Sequence, residues 1–132
     1  MRFRTLDEWL RWQESLHPRA IDLGLDRVRS VWQRLARAAS LPPVITVAGT
    51  NGKGSCAAML ESMLRAGGYR TGLYTSPHLL RYTERIRIAG REVEEAAVCA
   101  AFERVDAARA GVSLTYFEFG TLAALLLFRE AG

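Results

Sequence analysis

The run Val44-Ile45-Thr46-Val47-Ala48, leading into Gly49-Thr50-Asn51-Gly52-Lys53-Gly54-Ser55, constrains this chain more than any other feature. A short, mostly β-branched segment bounded by Pro42-Pro43 and by glycine predicts a buried parallel strand. Ser55 to Ala66 then predicts a helix with Met59, Leu60, Met63 and Leu64 turned inward, stopped by Gly67-Gly68. Tyr69 to Thr75 predicts a second strand. Strand, glycine loop, helix and strand in that order suit a parallel crossover. The expected class is α/β, P-loop NTPase-like, a parallel sheet with flanking helices that is incomplete in this chain.

The loop has the chemistry of a phosphate cradle. Glycines let backbone N–H groups approach oxygens closely, and the following helix offers the positive end of its dipole. Gly49, Thr50, Asn51, Gly52, Lys53, Gly54 and Ser55 are therefore candidates for holding the phosphates of ATP. Lys53 would reach the outer phosphates and act in catalysis, and the Ser55 hydroxyl would be a ligand for Mg²⁺. Every basic residue except Lys53 is arginine. A compact ammonium among phosphate oxygens is not replaceable by a planar guanidinium, so the placement of the lone lysine supports the assignment. The spacing departs from the usual pattern: Val47 stands where the first glycine is expected, and Gly54 rather than Ser or Thr follows Lys53. Without its flanks, the loop reads equally as a tight β–α turn with an incidental lysine.

Elsewhere, Thr5 to Leu16 predicts a helix with Thr5 and Glu8 as a capping box and Leu6, Trp9, Leu10 and Leu16 near one face. Pro18 ends it and Gly24 closes the loop that follows. Leu25, Val28, Val31, Trp32 and Leu35 mark a second amphipathic helix ending near Ser40. Arg85 to Ile88 and Arg91 to Val93 across Ala89-Gly90 predict a β-hairpin. Glu94 to Ala110 predicts a further helix. Thr115 and Glu118 form a capping pattern that opens an apolar helix from Phe119 to Glu130, and such a helix needs cover on several sides. That need, and a sheet with few strands, suggest an N-terminal piece of a longer protein or a partner lying against it.

The net charge of +4 is spread along 132 residues, which speaks against a nucleic-acid patch. No apolar run approaches the roughly 18 residues of a membrane span, and no secretory signal is visible at the N-terminus, so a cytoplasmic location is expected. Cys56 and Cys99 are expected as buried thiols, and with His17 and His78 they match no metal-ligand spacing.

Four segments in order resemble the folylpolyglutamate synthase and dihydrofolate synthase family, of bifunctional bacterial type, within the Mur ligase superfamily. They are Val47–Ser55, Ile21–Val28, Tyr74–Leu79 with Arg81–Ile86, and Leu114–Thr121. The resemblance implies the first part of a Mur ligase central domain over residues 43–132, preceded by a helical segment with a folate-binding loop over 1–42. It implies an ATP-dependent ligase that joins L-glutamate to dihydropteroate or to reduced folates through an acyl phosphate, with ATP and Mg²⁺. Asp22, Leu23, Gly24 and Leu25 match the family's pterin-binding stretch, as do Thr115, Tyr116, Phe117 and Glu118. Ser76 matches its Mg²⁺-ligating serine. Read alone, Ser76 is part of a Ser-Pro turn, and Thr115 with Glu118 is a helix cap. Arg81, Arg85 and Arg87 read as a solvated face.

The family's other metal ligands and its C-terminal domain have no counterpart in these residues, so this piece alone is expected to be inactive. The full-length protein is expected to be a monomer without nucleic-acid or membrane partners. Two other readings share the glycine loop: a Mur-type ligase of cell-wall precursors, and a non-catalytic nucleotide-binding module.

Overall fold

The computed structural model describes residues 1–37 and 40–132. It contains helices α1 (Leu6–Leu16), α2 (Asp26–Ala36), α3 (Lys53–Ala66), α4 (Glu95–Arg109) and α5 (Tyr116–Ala131), and strands β1 (Gly72–Tyr74), β2 (Ile86–Ile88) and β3 (Arg91–Glu92). The chain divides into two compact units. One comprises Met1–Ser40 with Glu95–Leu127, the other Leu41–Glu94 with Phe128–Gly132. Helices α4 and most of α5 belong to the same compact unit as the N-terminal helices.

The first unit is helical. α1 starts where Thr5 Oγ1 accepts from the Glu8 N–H and the Glu8 carboxylate accepts from the Thr5 N–H, the expected capping box. Trp9 of α1, Phe102 of α4 and Phe119 of α5 are fully buried. Their rings meet at centroid distances of 5.4–6.3 Å in tilted or edge-on arrangements. A buried Phe contributes about 1.5–3 kcal/mol by transfer, and each aromatic contact adds about 0.5–1.5 kcal/mol. This cluster, with Val31, Leu35, Val98, Val105, Leu122 and Leu126, is the core of the unit. α2 ends at Ala36, and Arg37 turns left-handed at φ +42. The expected helix end near Ser40 runs through residues outside the described ones.

The second unit corrects the expected sheet. Val44–Ala48 forms no strand, and Val44 and Ile45 are exposed. The sheet is three-stranded and antiparallel, in the order β1-β2-β3, with Leu73 opposite Arg87 and Arg87 opposite Glu92. The β2–β3 hairpin around Ala89-Gly90 is as expected. The difference lies in segment 44–48: a β-branched run becomes a strand only when paired with another, and among the described residues no strand pairs with it. β1 takes the hairpin as its partner instead. The same shortage of neighbours explains α3, whose Met59 and Met63 were expected inside and are 67% and 69% exposed. Cys56 is exposed as well, against expectation, whereas Cys99 is buried.

Candidate functional site

Gly52 caps α3 in the left-handed conformation at φ +74, which a side chain would strain, and the first bond of the helix runs from the Cys56 N–H to the Gly52 carbonyl. The N–H groups at the head of an α-helix have no partner within it, so those of Lys53, Gly54 and Ser55 are free of intrahelical bonds. Lys53 Nζ folds back and donates to the carbonyls of Gly49 (2.7 Å) and Thr50 (3.3 Å). The amine thus rests on its own loop.

This loop opens onto a cleft of about 760 Å³. Thr50, Asn51, Gly52, Lys53 and Gly54 line one wall, and Ser76 lines another. The structure thereby brings Ser76 and the glycine loop to a common space. Ser55 sits on the same helical turn, exposed, and does not line the cleft.

The cleft walls also carry residues that the motif reading passed over. Glu61, on the inner face of α3, accepts from Arg65 Nε at 3.0 Å and from the Thr71 hydroxyl at 2.7 Å. Their only sequence signal is an Glu61/Arg65 pair one helical turn apart. Arg87 of β2 contributes a third cation beside Lys53 and Arg65. Glu84 accepts from the N–H groups of Leu79 (2.9 Å), Leu80 (2.9 Å) and Arg81 (2.7 Å), which fastens the loop after Ser76. Those backbone bonds hold its carboxyl at about 2. Arg81 donates to Glu92, whose carboxyl lies below its usual range because of Arg81 first and Thr83 next. Arg85 Nε donates to His78 Nδ1 at 2.8 Å, and its guanidinium lies over the Tyr82 ring. Arg81 and Arg85 are thus held in bonds of the loop, more than a merely solvated face.

A divalent cation suits this cleft on chemical grounds. Among the described residues no group of three or more His, Cys, Asp or Glu could enclose a metal. Mg²⁺ commonly keeps several waters and phosphate oxygens and takes few protein ligands, and a hydroxyl such as that of Ser76 is a hard oxygen donor.

The second expected site lies in the helical unit. Arg27 joins its two stretches: Nη2 donates to both Glu118 oxygens at 3.1 Å and to the Asp22 carbonyl at 3.1 Å, and Nη1 lies 3.3 Å from the Asp22 carboxylate. His17 bonds Asp22 at 2.9 Å and Ser113 at 2.8 Å. The bond from His17, assisted by the charge of Arg27, lowers the Asp22 carboxyl below its usual range. Thr115 and Glu118 make the expected reciprocal cap of α5. Leu23 and Phe117 remain exposed, at 90% and 51%, and Leu25 is exposed too. Arg27 lies inside the Ile21–Val28 segment, but nothing in that pattern assigns it a role, and His17 belongs to no recognisable pattern. Proximity to Asp22 in sequence is the clue that both share.

Beside this network, a cavity of about 140 Å³ is lined by Gln13, His17, Thr115 and Tyr116 among others. Gln13 is 1% exposed, and neither atom of its carboxamide has a partner. A buried amide in that condition costs about 1–3 kcal/mol.

The chain is similar to known proteins. Over 126 residues the chain is 54% identical to the dihydrofolate synthase/folylpolyglutamate synthase of Escherichia coli, a match that covers 96% of this chain and 30% of the relative. The chain belongs to the dihydrofolate synthase/folylpolyglutamate synthase family. The protein of that name from Haemophilus influenzae is 50% identical over the same share of this chain. Among solved structures, the E. coli enzyme in complex with DHPP and ADP matches with a TM-score of 0.93 and 53% identity, over 97% of this chain and 31% of that one. A bifunctional folylpolyglutamate synthase/dihydrofolate synthase from Yersinia pestis, complexed with AMPPNP and Mn, matches with a TM-score of 0.90 and 52% identity, over 97% of this chain and 31% of that one. No protein-family model matches. The chain thus corresponds to the N-terminal portion of these family members and spans about 30% of their length. No helix among the described residues is long and apolar enough to cross a membrane.

Proposed function

We propose that the chain supplies the phosphate-binding loop and the pterin-binding segment of an ATP-dependent ligase that adds L-glutamate to dihydropteroate, to reduced folates, or to both. A carboxylate is a poor electrophile. In the proposed reaction a substrate carboxylate oxygen attacks the γ-phosphorus of ATP and ADP leaves. The glutamate amine then attacks the acyl carbon, loses a proton, and phosphate departs. The work left to the protein is positioning and charge neutralisation.

In this reading the N–H groups of the Gly49–Ser55 loop cradle phosphate oxygens. Lys53 leaves the Gly49 and Thr50 carbonyls to meet the outer phosphates, a small movement of an exposed side chain. Ser76, with Ser55 as a second hydroxyl, would hold Mg²⁺, which offsets phosphate charge. Asp22, Leu23, Gly24 and Leu25, with Thr115, Tyr116, Phe117 and Glu118, form the pterin segment. The exposed Leu23 and Phe117 give it apolar surface for a flat ring. Residues 43–132 are the first part of a P-loop ATPase domain in which Val44–Ala48 pairs with parallel strands from the rest of the enzyme. Residues 1–42 form the helical segment before it. The full-length enzyme is proposed to be cytoplasmic and monomeric, without nucleic-acid contact. The chain by itself is proposed to lack turnover.

The observation that carries this reading is the shared cleft of the glycine loop and Ser76, in a chain so similar to enzymes solved with ADP or AMPPNP. Lys53→Met tests it. Among the described residues Lys53 bonds to its own loop, so the unfolding free energy should change by no more than about 0.5 kcal/mol, as for other surface changes. Affinity for MgADP, measured by calorimetry, should fall at least about tenfold, the loss of one charge-assisted contact. Equal affinity in the variant and the parent chain would refute the loop's role.

A further inference from the structure

Gln13 is the anomaly of the helical unit. It lies on α1 one turn after Trp9, whose indole Nε1 is also buried without a partner. A glutamine wholly enclosed beside tryptophan gains nothing from its polarity there, and an apolar side chain of the same size would suit that surrounding better. Yet the side chain also forms part of the wall of the 140 Å³ cavity, next to Thr115 and Tyr116. That volume far exceeds the roughly 10–15 Å³ that a single water needs. Two polar neighbours in the wall are already committed. His17 is held on both ring nitrogens, by Ser113 and by Asp22, and the Thr115 hydroxyl accepts from the Glu118 N–H. Among the buried polar side chains of this wall, Gln13 is the one whose donors and acceptor are both unused.

A carboxamide presents an acceptor oxygen and a donor nitrogen side by side in one plane. That pair is complementary to a cyclic lactam edge, a ring N–H next to a carbonyl, which is the edge a pterin carries. Two parallel hydrogen bonds of this kind read the ring's identity, as glutamine reads adenine in a nucleic-acid groove. We infer that Gln13 is a specificity-determining residue of the pterin pocket: on ring entry its side chain turns about its own torsions to face the cavity. Its oxygen then accepts from the ring N–H and its nitrogen donates to the ring carbonyl. In the free protein the amide is held where it has no partner, a local cost that binding relieves. The inference rests on the assignment of Asp22 and Thr115–Glu118 to the pterin segment, and it adds a residue that neither stretch contains.

The test uses the full 132-residue chain, its Gln13→Met variant, and two ligands: dihydropteroate and its 4-deoxo analogue, which lacks the lactam edge. Binding is read by tryptophan fluorescence. The parent chain should prefer dihydropteroate by about tenfold or more, the worth of two modest hydrogen bonds. In Gln13→Met the preference should collapse towards unity, with affinity for the 4-deoxo analogue unchanged and the melting temperature raised. A structural role would weaken both ligands together and leave the ratio alone, and that result overturns the inference. A second reading needs no variant. The Gln13 side-chain NH₂ resonances of the parent chain should shift when dihydropteroate is added, and unmoved resonances at saturation also overturn it. If the parent chain binds neither ligand, the pterin assignment itself fails and the inference falls with it.

Discussion

Arg27→Met should destabilise the helical unit well beyond a surface substitution. The guanidinium makes contacts of 3.1 Å to both Glu118 oxygens and 3.3 Å to the Asp22 carboxylate. Its side chain is 24% exposed and that of Glu118 is 10% exposed, so the pair lies between a surface and a buried bridge. Removing one partner of a fully buried bridge costs about 3–5 kcal/mol, and exposed bridges are worth about 0–1 kcal/mol. Three effects narrow the range. Asp22 keeps His17 as a partner, and Glu118 keeps the Thr115 N–H. The Arg27 Nε, buried and unpartnered, is no longer a burden once removed. Methionine also retains most of the apolar stem. We expect a loss of about 2 kcal/mol, or about 6 °C in melting temperature for a domain of this size. Thermal denaturation followed by circular dichroism measures it, and Glu118→Gln with the double variant completes the cycle. A coupling of about 1 kcal/mol or more is expected between residues in direct contact. A melting shift below about 2 °C in Arg27→Met, or strict additivity in the cycle, would show that the bridge does not join the two stretches.

Two further outcomes concern the unit that carries the glycine loop. The Glu84 carboxyl lies at about 2 against its ordinary 4.5, so whatever it contributes is complete above about pH 4.5 and is lost as the pH falls through 2. The amide resonances of Leu79, Leu80 and Arg81 should therefore titrate near pH 2, and a midpoint near 4.5 would remove Glu84 as the fastener of that loop. Gly72→Ala should destabilise by about 1–3 kcal/mol through overpacking. The added Cβ would sit 2.5–2.8 Å from the Phe128 ring carbons, and urea denaturation of the variant checks this.

Much of the fold was legible because it is local. Thr5 with Glu8 and Thr115 with Glu118 are caps spelled out within four residues, and both helices begin where those pairs place them. The hairpin around Ala89-Gly90 is equally short-range. What failed was long-range. Val44–Ala48 has the composition of a central strand, and composition states what a segment needs without supplying the neighbour that provides it. Met59 and Met63 failed with it, since an inward face exists only where something lies inside. Arg27 shows the opposite failure: its partners lie 5 and 91 positions away, and no spacing rule reaches from Asp22 to Glu118.

The same division explains the state of the candidate site. Every piece that local sequence can assemble is assembled: the left-handed glycine, the helix head, and the Glu84-fastened loop that carries Ser76 into the cleft. The pieces that need distant partners are idle. Lys53 occupies itself with its own carbonyls, segment 44–48 is unpaired, and Gln13 is buried with nothing to bond. These three idle elements respond to different partners. A polyphosphate would draw Lys53 away, further strands would engage 44–48, and a flat heterocycle would engage Gln13. The chain is 54% identical to a relative of which it spans 30%. Its locally encoded scaffold is in place, and its idle groups are the ones that the proposed reading assigns to phosphate, to further strands and to a pterin.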